Sequence, residues 1–246
     1  MRLRSAGLGL LLAAAVAAPA AAQAPVEPVE ALRPVRALAG LHLVGALPTG
    51  EFADEIDGGF GIGVDVAVPI PAEGWFALRG GVGWVVYGDE RKEVCFGGGV
   101  GCRVRLDLTT TNSILYVNAG PQLMVPRGAV RPYLNASGGF AYFATTSSVK
   151  GDNDGEAFAS DTNHDDVTLA WSAGGGVLVP LSRGRTPISL DLGAQYHGNG
   201  SVEYVKEGGI IDEPDGSITI RPTRSDANFV SLRLGVTIGM RPGPGT

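Results

Sequence analysis

The chain has 246 residues, 44% of them hydrophobic, with 19 basic and 25 acidic residues and a formal net charge of −6. This acidic balance, without a basic patch, argues against nucleic-acid binding. Beyond the amino-terminal segment, no stretch is long and apolar enough to predict a transmembrane helix.

The first 22 residues have the composition of an export signal. Arg2 and Arg4 give a basic start, residues 8–18 form an apolar core, and small residues follow. The core is too short to serve as a membrane anchor. We expect cleavage before Gln23 rather than before Pro25, because a proline directly after the cut makes a poor substrate. Residues 23–34 are then a flexible, proline-punctuated lead-in.

Residues 35–241 carry eight segments in which apolar residues alternate with small or polar ones. Side chains in a strand alternate between two faces, so each segment predicts a strand with one apolar face. In the last one, NFVSLRLGVTIGM, Val230 and Met240 bound the apolar face, whereas Arg233 lies opposite among glycines and hydroxyls. Lipid outside and a narrow lumen inside account for this pattern. The predicted strands are residues 35–46, 60–70, 75–88, 103–125, 130–145, 167–181, 188–198 and 228–240.

The connections between these strands alternate between long and short. The short turns lie near Pro71, Gly128 and Gly184. An exported chain whose amino terminus stays in the periplasm places these turns there and the long loops outside the cell. A change of phase predicts a bulge near residues 110–113, and residues 214–216 predict a hairpin within the last loop. Since an even strand number lets the last strand pair with the first, we predict an all-β, eight-stranded antiparallel transmembrane barrel.

Two stretches, PTGEFADEIDGGFGIGVDVAV and RPYLNASGGFAYF, resemble the small outer-membrane β-barrel family. That family includes the OmpA transmembrane domain, OmpX and the opacity-type proteins, and the resemblance covers residues 35–240. It implies a Gram-negative type of cell outer membrane, with outer-membrane lipid and the barrel-assembly machinery as partners, and long loops that face an extracellular ligand or host surface. Such barrels usually end on an aromatic residue, whereas the last strand here ends on Met240, before a tail at 242–246.

Polar and charged residues lie on the inward face of the predicted barrel. Side chains fill the interior of an eight-stranded barrel and buried charges need partners, so we expect a network that plugs the lumen. A turn that places Val68 opposite Phe76 fixes the register of the second and third strands. In that register Asp65 lies directly opposite Arg79. The predicted network comprises His42, Asp65, Arg79, Arg131, Asp191, His197 and Arg233.

No pattern in the sequence indicates catalysis, a cofactor or a metal site. Lipid-modifying barrels place a histidine near a serine and an acid at the lipid-facing rim, but His42 and His197 face inward without a serine two residues on. His164 lies in an acidic loop. Aligning Gly155 with the invariant glycine of an EF-hand puts Lys150 at the first ligand position, which excludes that motif.

We therefore predict a non-enzymatic protein with a structural or surface-interaction, adhesion-like role. Two alternatives stay open. A narrow channel for ions or small solutes would need a conducting lumen, and a soluble lipocalin-like binder would need apolar residues inside the barrel.

The two cysteines lie in the stretch CFGGGVGC of a predicted outer loop. An exported protein with an even cysteine count favours a disulfide between Cys95 and Cys102 over a metal pair. We expect thiol titration of the folded, unreduced protein to find no free thiol. Changing both to serine should leave the barrel's stability unchanged, because the bond lies outside it. Two titratable thiols would contradict the prediction.

Overall fold

A computed structural model of the chain describes residues 35–70, 74–96, 104–151, 159–182, 186–206, 208–212 and 218–241. The predicted export signal, lead-in and tail lie outside these residues, as does Cys102, so those predictions and the disulfide stay predictions. Within the described residues, no helix has the length and apolar character needed to cross a membrane.

Twelve strands and one short 3-10 helix account for most of the described chain. The strands are β1 (Ala37–Pro48), β2 (Gly59–Pro69), β3 (Phe76–Phe96), β4 (Val104–Met124), β5 (Arg131–Gly151), β6 (Ala159–Pro180), β7 (Ile188–Asn199), β8 (Ser201–Tyr204), β9 (Ile210–Asp212), β10 (Ile218–Ile220), β11 (Thr223–Asp226) and β12 (Phe229–Met240). The 3-10 helix, Gly50–Asp54, follows β1.

Eight of the strands form a closed antiparallel barrel in the order β1-β12-β7-β6-β5-β4-β3-β2. The first and last strands close the ring through a ladder that runs from Ala37 opposite Met240 to Pro48 opposite Phe229. A ring closed in this way has no unpaired edge within the barrel. The predicted fold, an all-β eight-stranded antiparallel barrel, is confirmed.

The two faces of the barrel strands differ as the alternation predicted. On β12, Leu232, Leu234 and Val236 are 50%, 50% and 41% exposed, whereas Ser231 and Thr237 are 0% and 4% exposed. The same contrast runs around the ring and forms an outer surface of exposed apolar side chains, here called the apolar belt. Its members include Leu41, Leu43, Phe60, Val64, Val66, Leu78, Trp84, Leu115, Leu134, Phe140, Val167, Leu169, Trp171, Leu192, Leu232, Leu234 and Val236.

Four neighbouring strands are much longer than the others. Strands β3 to β6 have 21 or 22 residues, whereas β1, β2, β7 and β12 have 11 or 12. Their extra length, residues 88–96, 104–112, 145–151 and 159–164, continues the sheet past the barrel and is here called the extended sheet. The prediction of a long polar loop over residues 147–166 is therefore wrong at its ends. Pairing continues there as far as Val149 opposite Ala159, where threonine and valine suit a strand and the ladder with β6 orders the residues between them.

The predicted bulge is displaced to the neighbouring strand. Strand β4 keeps one register with β5 through residues 110–113, so it has no bulge against β5. The shift lies in β3 between Val86 and Gly88, opposite Ser113 and Asn112, and a second one lies between Thr145 and Thr146 of β5. An extra residue in β3 shifts the pairing register of β3 and β4 by one residue, as an extra residue in β4 would.

The last loop contains two small ladders. Strand β8 pairs with β11, and β9 pairs with β10. Residues 213–217 lie outside the described residues, but β9 and β10 flank them as an antiparallel pair, as the predicted hairpin requires.

The register between β2 and β3 differs from the predicted one by two residues. Asp65 lies opposite Gly81, and Arg79 lies opposite Ala67. The turn is longer than predicted, because the last pair is Pro69 with Ala77. A shift of two keeps every side chain on its predicted face, since the side-chain period of a strand is two.

Two strand glycines give a test of how tightly the lumen is packed. A Cβ at Gly83 would overlap the ring of Tyr116, whereas a Cβ at Gly138 would meet no atom within 4 Å. Tyr116 is 8% exposed, so its ring has little room to move. We expect Gly83→Ala to destabilise the barrel by about 1–3 kcal/mol through overpacking. Urea unfolding, or the temperature at which gel mobility changes, should show the loss.

Gly138→Ala is the matched control and should be neutral. Equal stabilities of the two variants would contradict the close contact between Gly83 and Tyr116.

Candidate functional site

A group of charged side chains occupies the middle of the barrel lumen. His42 comes from β1, Asp65 from β2, Arg79 from β3, Asp191 from β7 and Arg233 from β12, each from the inward face of its strand. Five strands thus contribute to one cluster. Together with Tyr133 of β5 and Gln122 of β4, these residues are here called the lumen network.

One half of the lumen network centres on Asp65. The Nη2 of Arg79 lies 2.8 Å from Asp65 Oδ2, and Nε2 of His42 contacts the same oxygen. Arg79 also donates from Nη1 to Oε1 of Gln122, at 2.9 Å. The side chains of Asp65 and Arg79 are each 9% exposed, so they form a buried ion pair across a diagonal of the ladder.

The other half centres on Asp191, which is 2% exposed. The hydroxyl of Tyr133 donates to Asp191 Oδ1 at 2.7 Å and accepts from Arg233 Nη2 at 3.2 Å. His42 Nδ1 lies 3.9 Å from Asp191 Oδ2. His42 therefore lies between the two carboxylates.

Tyr133 joins the two halves. Its ring lies under the guanidinium of Arg79, 5.4 Å from the ring centroid, while its hydroxyl contacts Asp191 and Arg233. A cation over an aromatic face is attracted by the negative charge of the ring face. Two arginines and two aspartates balance each other, so the formal charge of the cluster is zero when His42 is neutral.

Two residues predicted for the network do not join it. Arg131 lies where β5 begins, and its Nε donates to the carbonyl of Val125 at 3.1 Å. His197 stacks on Phe229, with ring centroids 4.4 Å apart, and its Nε2 lies 3.0 Å from Ser231 Oγ. Alternation indicates the face of a strand but not the height along the barrel, so the sequence alone could not separate these two residues from the cluster.

Aromatic residues fill the lumen on the long-loop side of the network. Phe52 of the 3-10 helix and Tyr204 of β8 are each 1% exposed, and their ring centroids are 5.1 Å apart. Their rings pack against those of barrel residues Tyr87 and Phe143. These four residues, with Phe229, are here called the aromatic plug. The sequence did not predict it because Phe52 and Tyr204 lie in connections without alternation.

The aromatic plug and the network leave little open space in the described lumen. The lumen network lines a cavity of about 20 Å³, which is room for about one water molecule. On the short-turn side, a second apolar cluster includes Leu38, Ala77, Met124 and Leu178. In the part of the lumen that the structure describes, apolar clusters therefore lie toward both ends and the charged lumen network lies between them.

Polar contacts hold β8 and the loop after it over the barrel mouth. Lys206 forms an ion pair with Glu55, and the backbone N–H of Gly208 donates to Glu90 Oε2 at 3.2 Å. The backbone N–H of Glu203 donates to Asp166 Oδ2 at 2.9 Å, and this bond lowers the pKa of Asp166. A lowered pKa in the folded state stabilises the contact at neutral pH, and the stabilisation is lost as the pH falls through that pKa.

The described residues contain no group of three or more histidine, cysteine, aspartate or glutamate side chains that could hold a metal ion. The pair His197 and Ser231 is buried at 3% and 0% exposure beneath the aromatic plug, where no substrate has access. The lumen network can instead join seven strands of the ring, β1, β2, β3, β4, β5, β7 and β12, by side-chain contacts.

No protein-family model matches the sequence, and no curated protein matches it. Among solved structures, the chain is similar to Ail, the attachment invasion locus protein of Yersinia pestis, with a TM-score of 0.44, 12% identity, and coverage of 84% of this chain and 99% of that one. It is also similar to a major outer membrane protein from Thermus thermophilus (TM-score 0.41, 15% identity, 83% and 99% coverage). Neisserial surface protein A gives a TM-score of 0.38 at 12% identity, over 82% and 96% of the chains. At these values the similarity carries no functional conclusion.

The ion pair between Asp65 and Arg79 can be tested by a double-mutant cycle. Breaking a buried pair leaves one charge uncompensated, so we expect Asp65→Leu or Arg79→Leu alone to cost about 3 kcal/mol of folding free energy. The double variant should cost clearly less than the sum, although His42 and Gln122 also lose a partner. Urea-dependent folding in lipid vesicles measures the three values.

The control pair is Asp89 and Arg91, 3.7 Å apart with side chains 46% and 77% exposed. Alanine at either position should change stability little, because solvent screens the pair. Additive losses for Asp65→Leu and Arg79→Leu would reject the coupling.

Proposed function

We propose that the chain is a non-enzymatic outer-membrane β-barrel protein with a structural or surface-interaction role. The observation that carries this proposal is the apolar belt. Monomeric soluble proteins rarely expose apolar patches beyond a few hundred Å². Here exposed leucine, valine, isoleucine and aromatic side chains occur on all eight barrel strands, while the inward faces carry buried charges.

The dimensions of the belt fit a bilayer. Strands β1 and β12 have 12 residues each. With a rise of about 3.3 Å per residue and a tilt of about 40°, such a strand spans about 30 Å, close to the hydrocarbon thickness. A soluble lipocalin-like binder has the opposite arrangement, with apolar residues lining its cavity, so this alternative does not fit the exposed faces.

Aromatic side chains support the orientation. Trp84, Trp171 and Tyr196 lie on the outer face toward the extended sheet, and Trp171 and Tyr196 have ring centroids 5.5 Å apart. Trp75 and Phe76 lie at the short-turn side and are 58% and 39% exposed. Aromatic girdles of this kind mark the two interfaces of outer-membrane barrels.

The filled lumen favours a structural or interaction role over a narrow channel. A conducting path would have to pass the aromatic plug, the lumen network and the second apolar cluster. The extended sheet, by contrast, carries four strands beyond the belt into the space where extracellular ligands or host surfaces are met. We therefore infer that contact with partners involves the extended sheet and the long loops rather than the lumen.

Accessibility labelling on intact cells tests this proposal. In a variant with Cys95→Ser and Cys102→Ser, we expect Asp57→Cys to react with a membrane-impermeant maleimide on intact cells. Arg127→Cys should react only after the outer membrane is permeabilised. Both positions are exposed, which makes them a matched pair that differs only in the side of the barrel.

The reverse labelling pattern would mean that the orientation is inverted. Labelling of both positions in the soluble fraction, with no protein in the outer membrane, would contradict the membrane role.

A further inference from the structure

The short-turn end of the barrel carries four arginines. Arg36 lies just before β1, and Arg241 lies just after β12. Arg127 lies in the turn between β4 and β5, and Arg131 is the first residue of β5. Arg36 and Arg127 are exposed, whereas Arg131 and Arg241 are half-buried. These four residues are here called the arginine rim.

Within the described residues, the acids lie away from the arginine rim. Asp65 and Asp191 belong to the lumen network, and every other described aspartate or glutamate lies on the long-loop side of the barrel. The barrel strands separate that side from the rim by about 30 Å, whereas charges in physiological salt are largely screened beyond about 8 Å. The described acids of the long-loop side therefore do not neutralise the rim.

The contacts of Arg131 hold its guanidinium in place without neutralising it. Its Nε donates to the carbonyl of Val125 at 3.1 Å, and its Nη2 lies 3.9 Å from Sδ of Met124. Neither of these partners carries a formal charge. An anion beside a half-buried cation stabilises it, because burial removes part of the cation's hydration. The described contacts thus position a cation that an anion would complete.

The rim arginines form two pairs of neighbours. Arg127 and Arg131 flank the turn between β4 and β5. Arg36 and Arg241 lie together where the first and last strands close the ring, since the backbone N–H of Arg36 donates to the carbonyl of Met240 at 2.8 Å. A guanidinium presents a planar row of N–H donors that matches two oxygens of a phosphate. Each pair therefore suits a phosphate group, which offers several acceptor oxygens and a negative charge.

The arginine rim lies at the edge of the apolar belt. Val130 directly precedes Arg131 and is 53% exposed, and Met240 directly precedes Arg241 and is 50% exposed. Trp75, on the same side of the barrel, is 58% exposed. Aromatic residues at this height mark the interface of outer-membrane barrels. In the proposed membrane orientation, the rim is therefore level with the lipid headgroups on the short-turn side, and acyl chains have apolar side chains beside it.

We propose that the arginine rim binds the phosphate group of an anionic phospholipid in the leaflet on the short-turn side. Phosphatidylglycerol carries a net negative charge, whereas the choline of phosphatidylcholine cancels the charge of its phosphate. A cluster of arginines at the membrane surface therefore distinguishes the two lipids. The inference rests on the proposed membrane role, because a soluble barrel would meet free phosphate only.

Three double variants separate the rim from the rest of the surface. Arg127→Gln with Arg131→Gln removes one pair of rim cations. Arg36→Gln with Arg127→Gln removes one cation from each pair and changes only exposed side chains, which keeps lipid binding distinct from a loss of folding. The control, Arg91→Gln with Arg224→Gln, removes two cations from the long-loop side, where these side chains are 77% and 68% exposed. All three variants lose the same charge.

The full chain is reconstituted in phosphatidylcholine nanodiscs that contain a small fraction of spin-labelled phosphatidylglycerol or spin-labelled phosphatidylcholine. The fraction of motionally restricted label measures how well each lipid competes for the barrel surface. We expect the unchanged protein and the control variant to prefer phosphatidylglycerol about fivefold, the effect of one arginine near an anionic headgroup. Both rim variants should bind the two lipids about equally, and added salt should weaken the preference of the unchanged protein.

Equal binding of the two lipids by the unchanged protein, or an equal loss of preference in the control variant, would overturn the inference. Displacement of phosphatidylglycerol by sodium phosphate, but not by sodium chloride of the same ionic strength, would indicate a site for free phosphate and reject the lipid source. A chain that does not enter nanodiscs would reject the membrane role. A chain that enters them without a headgroup preference would reject this inference alone.

Discussion

The structure depends on closure of the ring by the ladder between β1 and β12. Twelve directly opposed pairs join the first barrel strand to the last, so the ring itself has no free edge. In hydrocarbon, where no water competes for backbone groups, an unpaired edge would cost several kcal/mol for each unsatisfied group. Closure also divides each barrel strand into an exposed apolar face and a lumen face, and the apolar belt and the lumen network lie on these two faces.

The lumen face is stabilised in two different ways. In the middle, Asp65 and Asp191 are each held by an arginine or tyrosine from a different strand, and His42 lies between them. Toward the long loops, aromatic side chains from outside the barrel strands complete the packing. Buried charges make directional contacts that favour one strand register. The aromatic plug buries apolar surface area, and this packing depends less on exact pairing between side chains.

Much of the barrel was predictable from the sequence, because apolar and polar residues alternate with a period of two in each barrel strand. The ends of the long strands were harder to predict from the sequence. Thr145 and the residues after it could form a strand or a polar loop, and their pairing with β4 and β6 determines that they form a strand. The register of Asp65 was missed by two residues because the length of the turn after Pro69 has no clear signal. His197 and Arg131 show the same limit. The sequence indicates which face of the strand each residue lies on, but it does not indicate which residues lie next to it across the lumen.

The central claim is that the outer face of the ring meets lipid along its whole height. Spin labels placed one at a time from residue 230 to 240 of β12, in the protein reconstituted in bilayers, test this claim most directly. We expect oxygen dissolved in the lipid to relax labels at even positions, such as 232, 234 and 236, and labels at odd positions to be protected. Equal relaxation at all positions, or stronger relaxation at the odd ones, would contradict it.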